Sequence, residues 1–265
     1  MPEVFGLDAY APEAVAARVR ETGVRKARLP LLTLVLLAVL AGAFIGFGAL
    51  MFALVASDGS LGFAAVRLLG GLMFALGLVL VSVAGAELFT GNNMLVMAWA
   101  GRSISTRELL RNWTVACLGN FVGAAGLAVL VWLSGHALLN QEAIGRTVMN
   151  IAMAKAELPP LQAFFRGVLC NVLVCMAVWM AMAGRSVTDK VLAIVFPITA
   201  FVAAGFEHSI ANAYFFALAA LLGAPLDGAQ VALNMVIVVA GNVVGGSVLV
   251  ALVYWVIYLR RPGRS

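Results

Sequence analysis

Gly85-Ala-Glu-Leu-Phe-Thr-Gly-Asn-Asn-Met94 places a carboxylate, a hydroxyl and two Asn at the end of an apolar run. Leu76-Gly-Leu-Val-Leu-Val81 precedes it and Met94-Leu-Val-Met97 follows, so the flanks read as membrane helix. Irregular polar backbone survives at membrane depth only where protein buries it or a cavity wets it. The stretch therefore predicts a helix of about residues 63–86, a polar break at Gly-Asn-Asn, and a short half-helix over residues 94–100. Gly205-Phe-Glu-His-Ser-Ile-Ala-Asn212 repeats the spacing of Gly85, Glu87 and Asn92. Two interrupted helices at corresponding places in two halves point to a transport site.

The composition agrees. Of 265 residues, 63% are hydrophobic and 11% charged, and the mean hydropathy is +1.05. That profile fits several membrane spans and no ordinary soluble domain. The net charge of +5 is no nucleic-acid signal, because the basic residues lie at the ends of apolar runs. Cys117, Cys170 and Cys175 fall inside apolar runs and read as small core residues. No cofactor or metal is expected, and a cleaved signal peptide is not expected either.

Six spans follow in order: residues 30–55, 63–86 with its half-helix, 109–133, 161–183, 191–222 broken at Glu207-His208-Ser209, and 229–259. Residues 1–29 are expected to form an amphipathic interfacial helix. Residues 30–260 are expected to form the channel domain: a first repeat at 30–134, a polar connection at 135–160 and a second repeat at 161–260. Residues 261–265 remain as a short tail. Gly119-Asn120-x-Val122-Gly123 in span three matches Gly241-Asn242-x-Val244-Gly245 in span six. Three spans per half is an odd number, so the halves enter the membrane in opposite directions, as an inverted repeat. Arg18, Arg20, Arg25, Lys26 and Arg28, the loops at Arg102/Arg107 and Arg185/Lys190, and Arg260, Arg261 and Arg264 fall on one side. Positive charge marks the cytoplasmic face, so both termini are expected there.

A charge at the bilayer centre costs on the order of 2.5–3.5 kcal/mol on insertion scales. Glu87 and Glu207 are therefore either proton carriers or cation ligands, or acceptors for backbone N–H groups freed at the breaks; the second reading is preferred. His208 has no counterpart in the first half, where Leu88 stands. An imidazole that breaks the repeat symmetry suits function, since its charge changes near neutral pH. Thr90 could present a hydroxyl to an ion or cap the half-helix. Lys155 is either a solvated surface group or a pore-mouth cation that concentrates anions. Phe74, Leu78, Leu88 and Phe201 are either ordinary membrane residues or dry constrictions.

On the two break motifs, Leu169-Cys-Asn-x-Leu-Val-Cys175 and Trp179-Met-Ala, the chain resembles the formate/nitrite transporter family over nearly its whole length. Thr-Gly-Asn after Phe89 and Leu-Cys-Asn in span four resemble its nitrite-channel branch. The resemblance implies an all-α, aquaporin-like fold of six spans with spans two and five interrupted, a homopentamer with one pore per protomer, and a bacterial inner-membrane location. It implies that Thr90 lies on a mobile loop of the first break. It implies that His208 sits at the pore centre near Thr90 and Asn171, that Phe74, Leu78, Leu88 and Phe201 are constrictions, and that Lys155 is a vestibule lysine; Asn92 and Asn212 are read with Glu87 and Glu207 as support for the breaks. The expected activity is passage of a small anion across the bilayer, nitrite first, with formate or hydrosulfide as alternatives. A neutral-solute channel, a flux-less sensor and a membrane enzyme are the rivals; the last would want a nucleophile–base pair or a metal set.

Overall fold

The computed structural model describes residues 9–260. The tail at 261–265, with Arg261 and Arg264, and the first eight residues of the N-terminal segment lie outside the described residues. The elements are α1 (Pro12–Ala27), α2 (Leu31–Ala56), α3 (Phe63–Gly85), α4 (residues 89–100), α5 (Thr106–Leu133), α6 (Ala143–Ala156), α7 (Pro160–Ala183), α8 (Val187–Ala204), α9 (Ser209–Leu221) and α10 (Gly228–Tyr258). Helices α2, α3, α5, α7, α8 and α10 are long and apolar enough to cross a membrane. Their outward faces carry Leu36, Leu40, Leu118, Val122, Leu192 and Val236, as lipid-facing surfaces should.

The halves pack alike. α2 lies along α5 and α7 along α10, while α3 and α8 meet between the halves. Small residues allow the first two crossings. A Cβ at Gly42 or Gly123 would collide with the carbonyls of Asn120 or Val39; one at Gly241 or Gly245 would collide with those of Phe164 or Val168. Helices that approach this closely gain dispersion contacts that lipid cannot supply. Beside each half stands a short helix, α1 for the first and α6 for the second, and each delivers a lysine from its last turn to that half's break.

The first break differs from the sequence reading. It falls at Ala86-Glu87-Leu88, and the half-helix starts at Phe89 instead of Met94. Gly85 ends α3 at φ +86°, a conformation open to Gly and strained for other residues. Gly91-Asn92-Asn93 is helical, with a single 3₁₀ turn at Asn93–Leu95. Its polar side chains face interior partners instead of opening the backbone. Thr90 thus stands in the first turn of α4, not on a loop. The second break falls at Gly205–His208, with Gly205 at φ +77°. The last turn of α3 (Leu80–Gly85) and the middle of α10 (Val244–Leu252) are π-helical.

Candidate functional site

Each break exposes backbone groups that need partners. The sequence reading gives that task to Glu87 and Glu207; the structure gives it to Asn120 and Asn242. Asn120 Oδ1 accepts from the Phe89 N–H (2.8 Å), and its amide donates to the carbonyls of Ala38 (2.7 Å) and Glu87 (2.9 Å). Asn242 Oδ1 accepts from the Ser209 N–H (3.0 Å), and its amide donates to Gly167 (2.8 Å) and Glu207 (3.0 Å). An amide carries both donors and an acceptor on one rigid head, which a carboxylate cannot match. The Glu87 and Glu207 N–H groups reach the carbonyls of Leu37 and Arg166.

The two carboxylates serve side-chain networks. Glu87 pairs with Lys26 (3.1 Å) and accepts from Asn92 Nδ2 (2.8 Å), which also donates to Asn112 Oδ1 (2.9 Å). Glu207 pairs with Lys155 and accepts from Asn212 Nδ2 (2.7 Å), which also donates to Asn234 Oδ1 (3.1 Å). The matching closes: Asn112 donates to the Lys26 carbonyl and Asn234 to the Lys155 carbonyl. A charge with a partner and satisfied hydrogen bonds tolerates burial, and one without does not. Lys155 is therefore no lone solvated group. Its Nζ donates to both oxygens of Glu207, at 2.9 and 2.8 Å, with its side chain 16% exposed. Lys26, Asn112 and Asn234 escaped the sequence reading. Lys26 was hidden in the basic run Arg25–Arg28, which reads as an orientation signal.

At the centre, His208 caps α9. The Ala211 N–H donates to its Nδ1 (3.3 Å), and Nε2 lies 3.1 Å from Thr90 Oγ1. An Nδ1 that accepts an N–H carries no proton, so the ring proton sits on Nε2 and donates to Thr90. The Thr90 hydroxyl then keeps its own hydrogen for a third group. Both side chains are buried, in the second half and the first respectively. Asn171, expected beside the imidazole, bonds Thr90 instead. Its amide donates to the carbonyls of Thr90 (3.3 Å) and Asn242 (2.6 Å) and to Asn93 Oδ1 (3.2 Å). Gly246, on the π-helical stretch of α10, leaves room for that amide. A Cβ there would collide with Asn171 Nδ2 and stand 2.7 Å from Cys175 Sγ.

Apolar groups surround this pair. The Phe201 ring stacks on His208 at 6.0 Å between centroids, and Phe74 meets Phe201 edge-on at 5.6 Å. Leu78 and Leu88 are each 2% exposed. They border a cavity of about 460 Å³ that runs past Gly85, Glu87 and Gly91 and is lined by Arg18, Arg25, Lys26 and Lys190. A basic chamber thus ends on a leucine pair, with a polar couple built into the centre of an apolar core.

The formate/nitrite transporter family model matches residues 13–256. The chain is 37% identical over 274 positions to the formate channel FocA of Escherichia coli K12, covering 96% of both chains. Among solved structures, an FNT family ion channel superposes with a TM-score of 0.84 at 32% identity, covering 92% of this chain and 98% of the other. A pentameric formate channel with formate bound gives 0.79 at 37% identity, covering 87% and 98%. With six apolar helices among its described residues, two interruptions and matched half-networks, the chain belongs to the formate/nitrite transporter family.

Proposed function

We propose that the chain passes a small monovalent anion across the membrane through a pore in each protomer, at the Thr90–His208 couple. Formate leads, because two of the three proteins reported above, each 37% identical to this chain, are named formate channels; nitrite, favoured by the Thr-Gly-Asn and Leu-Cys-Asn motifs, is the second reading. The observation that carries the proposal is the 3.1 Å approach of His208 Nε2 to Thr90 Oγ1 with Nδ1 held by the Ala211 N–H; the tautomer this favours leaves the hydrogen of the Thr90 hydroxyl for an anion. That is a donor for an anion oxygen, held among Phe74, Leu78, Leu88 and Phe201.

An ionised carboxylate is poorly solvated in such a constriction, and its neutral acid is not. His208 can lend a proton once Nδ1 has gained one, which requires the Ala211 N–H to swing away. The doubly protonated ring then releases the Nε2 proton toward the anion through the Thr90 hydroxyl, and a neutral ring and a neutral acid result. The same doubly protonated ring could hold the anion by charge alone. The chain is a transporter and no enzyme in this reading. It sits in the bacterial inner membrane as a homopentamer, with both termini cytoplasmic and the basic cavity facing inward. Paired uptake of labelled formate and nitrite by proteoliposomes tests it. Saturable uptake of either supports the reading and their ratio ranks the substrates. No uptake of either, from acid to neutral pH, overturns it.

A further inference from the structure

We propose that Arg67 is the positioning residue of Phe201: its guanidinium clasps the last turn of α8 and so sets how closely the Phe201 ring closes on His208. The inference rests on the transport reading above. It gives a residue outside the central couple a part in deciding, by size, which anions pass.

Arg67 stands on α3, half-buried, and its fork reaches two successive carbonyls of α8. Nε donates to Ala203 (2.9 Å) and Nη2 to Val202 (2.7 Å). Val202 follows Phe201 directly, and the Phe201 ring stacks on His208 at 6.0 Å between centroids. The guanidinium is itself held. The Phe52 ring lies 5.8 Å from it, and a Cβ at Gly205 would stand 2.9 Å from Nη2. A planar guanidinium held this way fixes both carbonyls together, and with them the backbone that aims Phe201.

The turn that carries Phe201 is weakly tied to the rest of its own helix. Pro197 lies inside α8, one turn before Phe201, and has no N–H for the Ala193 carbonyl. On the other side Gly205 ends the helix at φ +77°. α3 grips the stretch between at three points. A Cβ at Gly71 would stand 2.7 Å from the Thr199 carbonyl, so the two backbones touch there. Phe74 meets the Phe201 ring edge-on at 5.6 Å, and Arg67 closes the end.

The repeat supplies the contrast. Counted from Gly85 and Gly205, Val81 matches Phe201, Gly77 matches Pro197 and Val187 matches Arg67. Ring, interruption and clasp are therefore all confined to the break that carries His208. Capping alone accounts for a cation at the C-terminus of α8. It does not account for that coincidence.

Paired uptake of labelled formate and of acetate, one methyl larger, into proteoliposomes tests this for wild type, Arg67→Met and Arg67→Lys, each also in a Phe201→Leu background. One methyl in a fitted apolar site is worth about tenfold or more in discrimination, and Arg67→Met is expected to surrender part of it, raising the acetate-to-formate ratio about threefold or more. Arg67→Lys keeps a donor for the same carbonyls and is expected to restore most of the wild-type ratio. In the Phe201→Leu background the Arg67 changes are expected to leave the ratio where Phe201→Leu puts it. An Arg67→Met ratio equal to wild type overturns the inference, even where the melting temperature or both uptake rates fall, since that marks a structural cap only. So does a rise of equal size in both backgrounds. Arg67→Gln, which keeps one amide donor, carries the same test if Arg67→Met does not fold. Wild-type liposomes that take up neither formate nor nitrite overturn the transport reading itself, and this inference with it.

Discussion

Thr90 Oγ1 and His208 Nε2 lie 3.1 Å apart, across the boundary between the two halves of the chain. Nδ1 of the same ring caps α9 through the Ala211 N–H. One imidazole thus performs a structural task with one nitrogen and meets the Thr90 hydroxyl with the other.

The two tasks separate by substitution. His208→Asn keeps an acceptor for the Ala211 N–H, because Asn is a good N-cap; His208→Phe does not. Asn is expected to melt near wild type, and Phe to lose about 1 kcal/mol. Both lose anion uptake. Thermal unfolding in detergent and proteoliposome uptake, on the same preparations, check this.

The break amides are expected to be the costliest polar residues to remove. Asn120→Ala strands the Phe89 N–H and the Glu87 carbonyl and takes from the helical Ala38 carbonyl its second donor. Each buried group left unpaired costs about 1–3 kcal/mol, so the melting temperature falls sharply. Asn242→Ala is expected to fall by a similar amount, because its three bonds match. Unequal losses would show that the two breaks differ in stability.

Half of this design is legible in the chain and half is not. Gly85 and Gly205, followed in step by Glu87/Asn92 and Glu207/Asn212, mark both interruptions, and the repeated Gly-Asn of spans three and six marks the repeat. The exact start of α4 is hidden, because Gly-Asn-Asn looks like a turn until its amides find partners 20 and 78 residues away. The pairing of Lys26 with Glu87 and Lys155 with Glu207 is hidden for the same reason: no local pattern says which lysine crosses to which carboxylate. Asn171 is singled out by the resemblance alone, and it reaches the imidazole only through Thr90, whose carbonyl its amide bonds. The π turns leave no periodic trace in an already apolar run.

The ion pairs make a double-mutant prediction. Lys155→Met leaves Glu207 buried and unmatched and is expected to cost about 3–5 kcal/mol. Lys155→Met with Glu207→Gln removes both charges and is expected to recover much of that. Denaturant or thermal unfolding of the single and double variants measures the coupling; simple additivity would contradict a paired role.

Gly246→Ala is a smaller change with a larger reach. Its methyl would meet the Asn171 amide, Cys175 Sγ at 2.7 Å and Asn93 Cβ at 2.9 Å. Overpacking of this kind costs about 1–3 kcal/mol. Because Asn171 must move, uptake is expected to fall further than stability does. Uptake assayed well below the variant's melting point separates the two effects.

The most direct test of the central claim is formate and nitrite uptake by wild type and His208→Asn, scanned from neutral to acid pH in the same liposomes. The account predicts that wild-type uptake rises with acidity and that His208→Asn, folded and stable, loses most of it. Uptake by His208→Asn that follows the wild-type curve would contradict the role given to the Thr90–His208 couple.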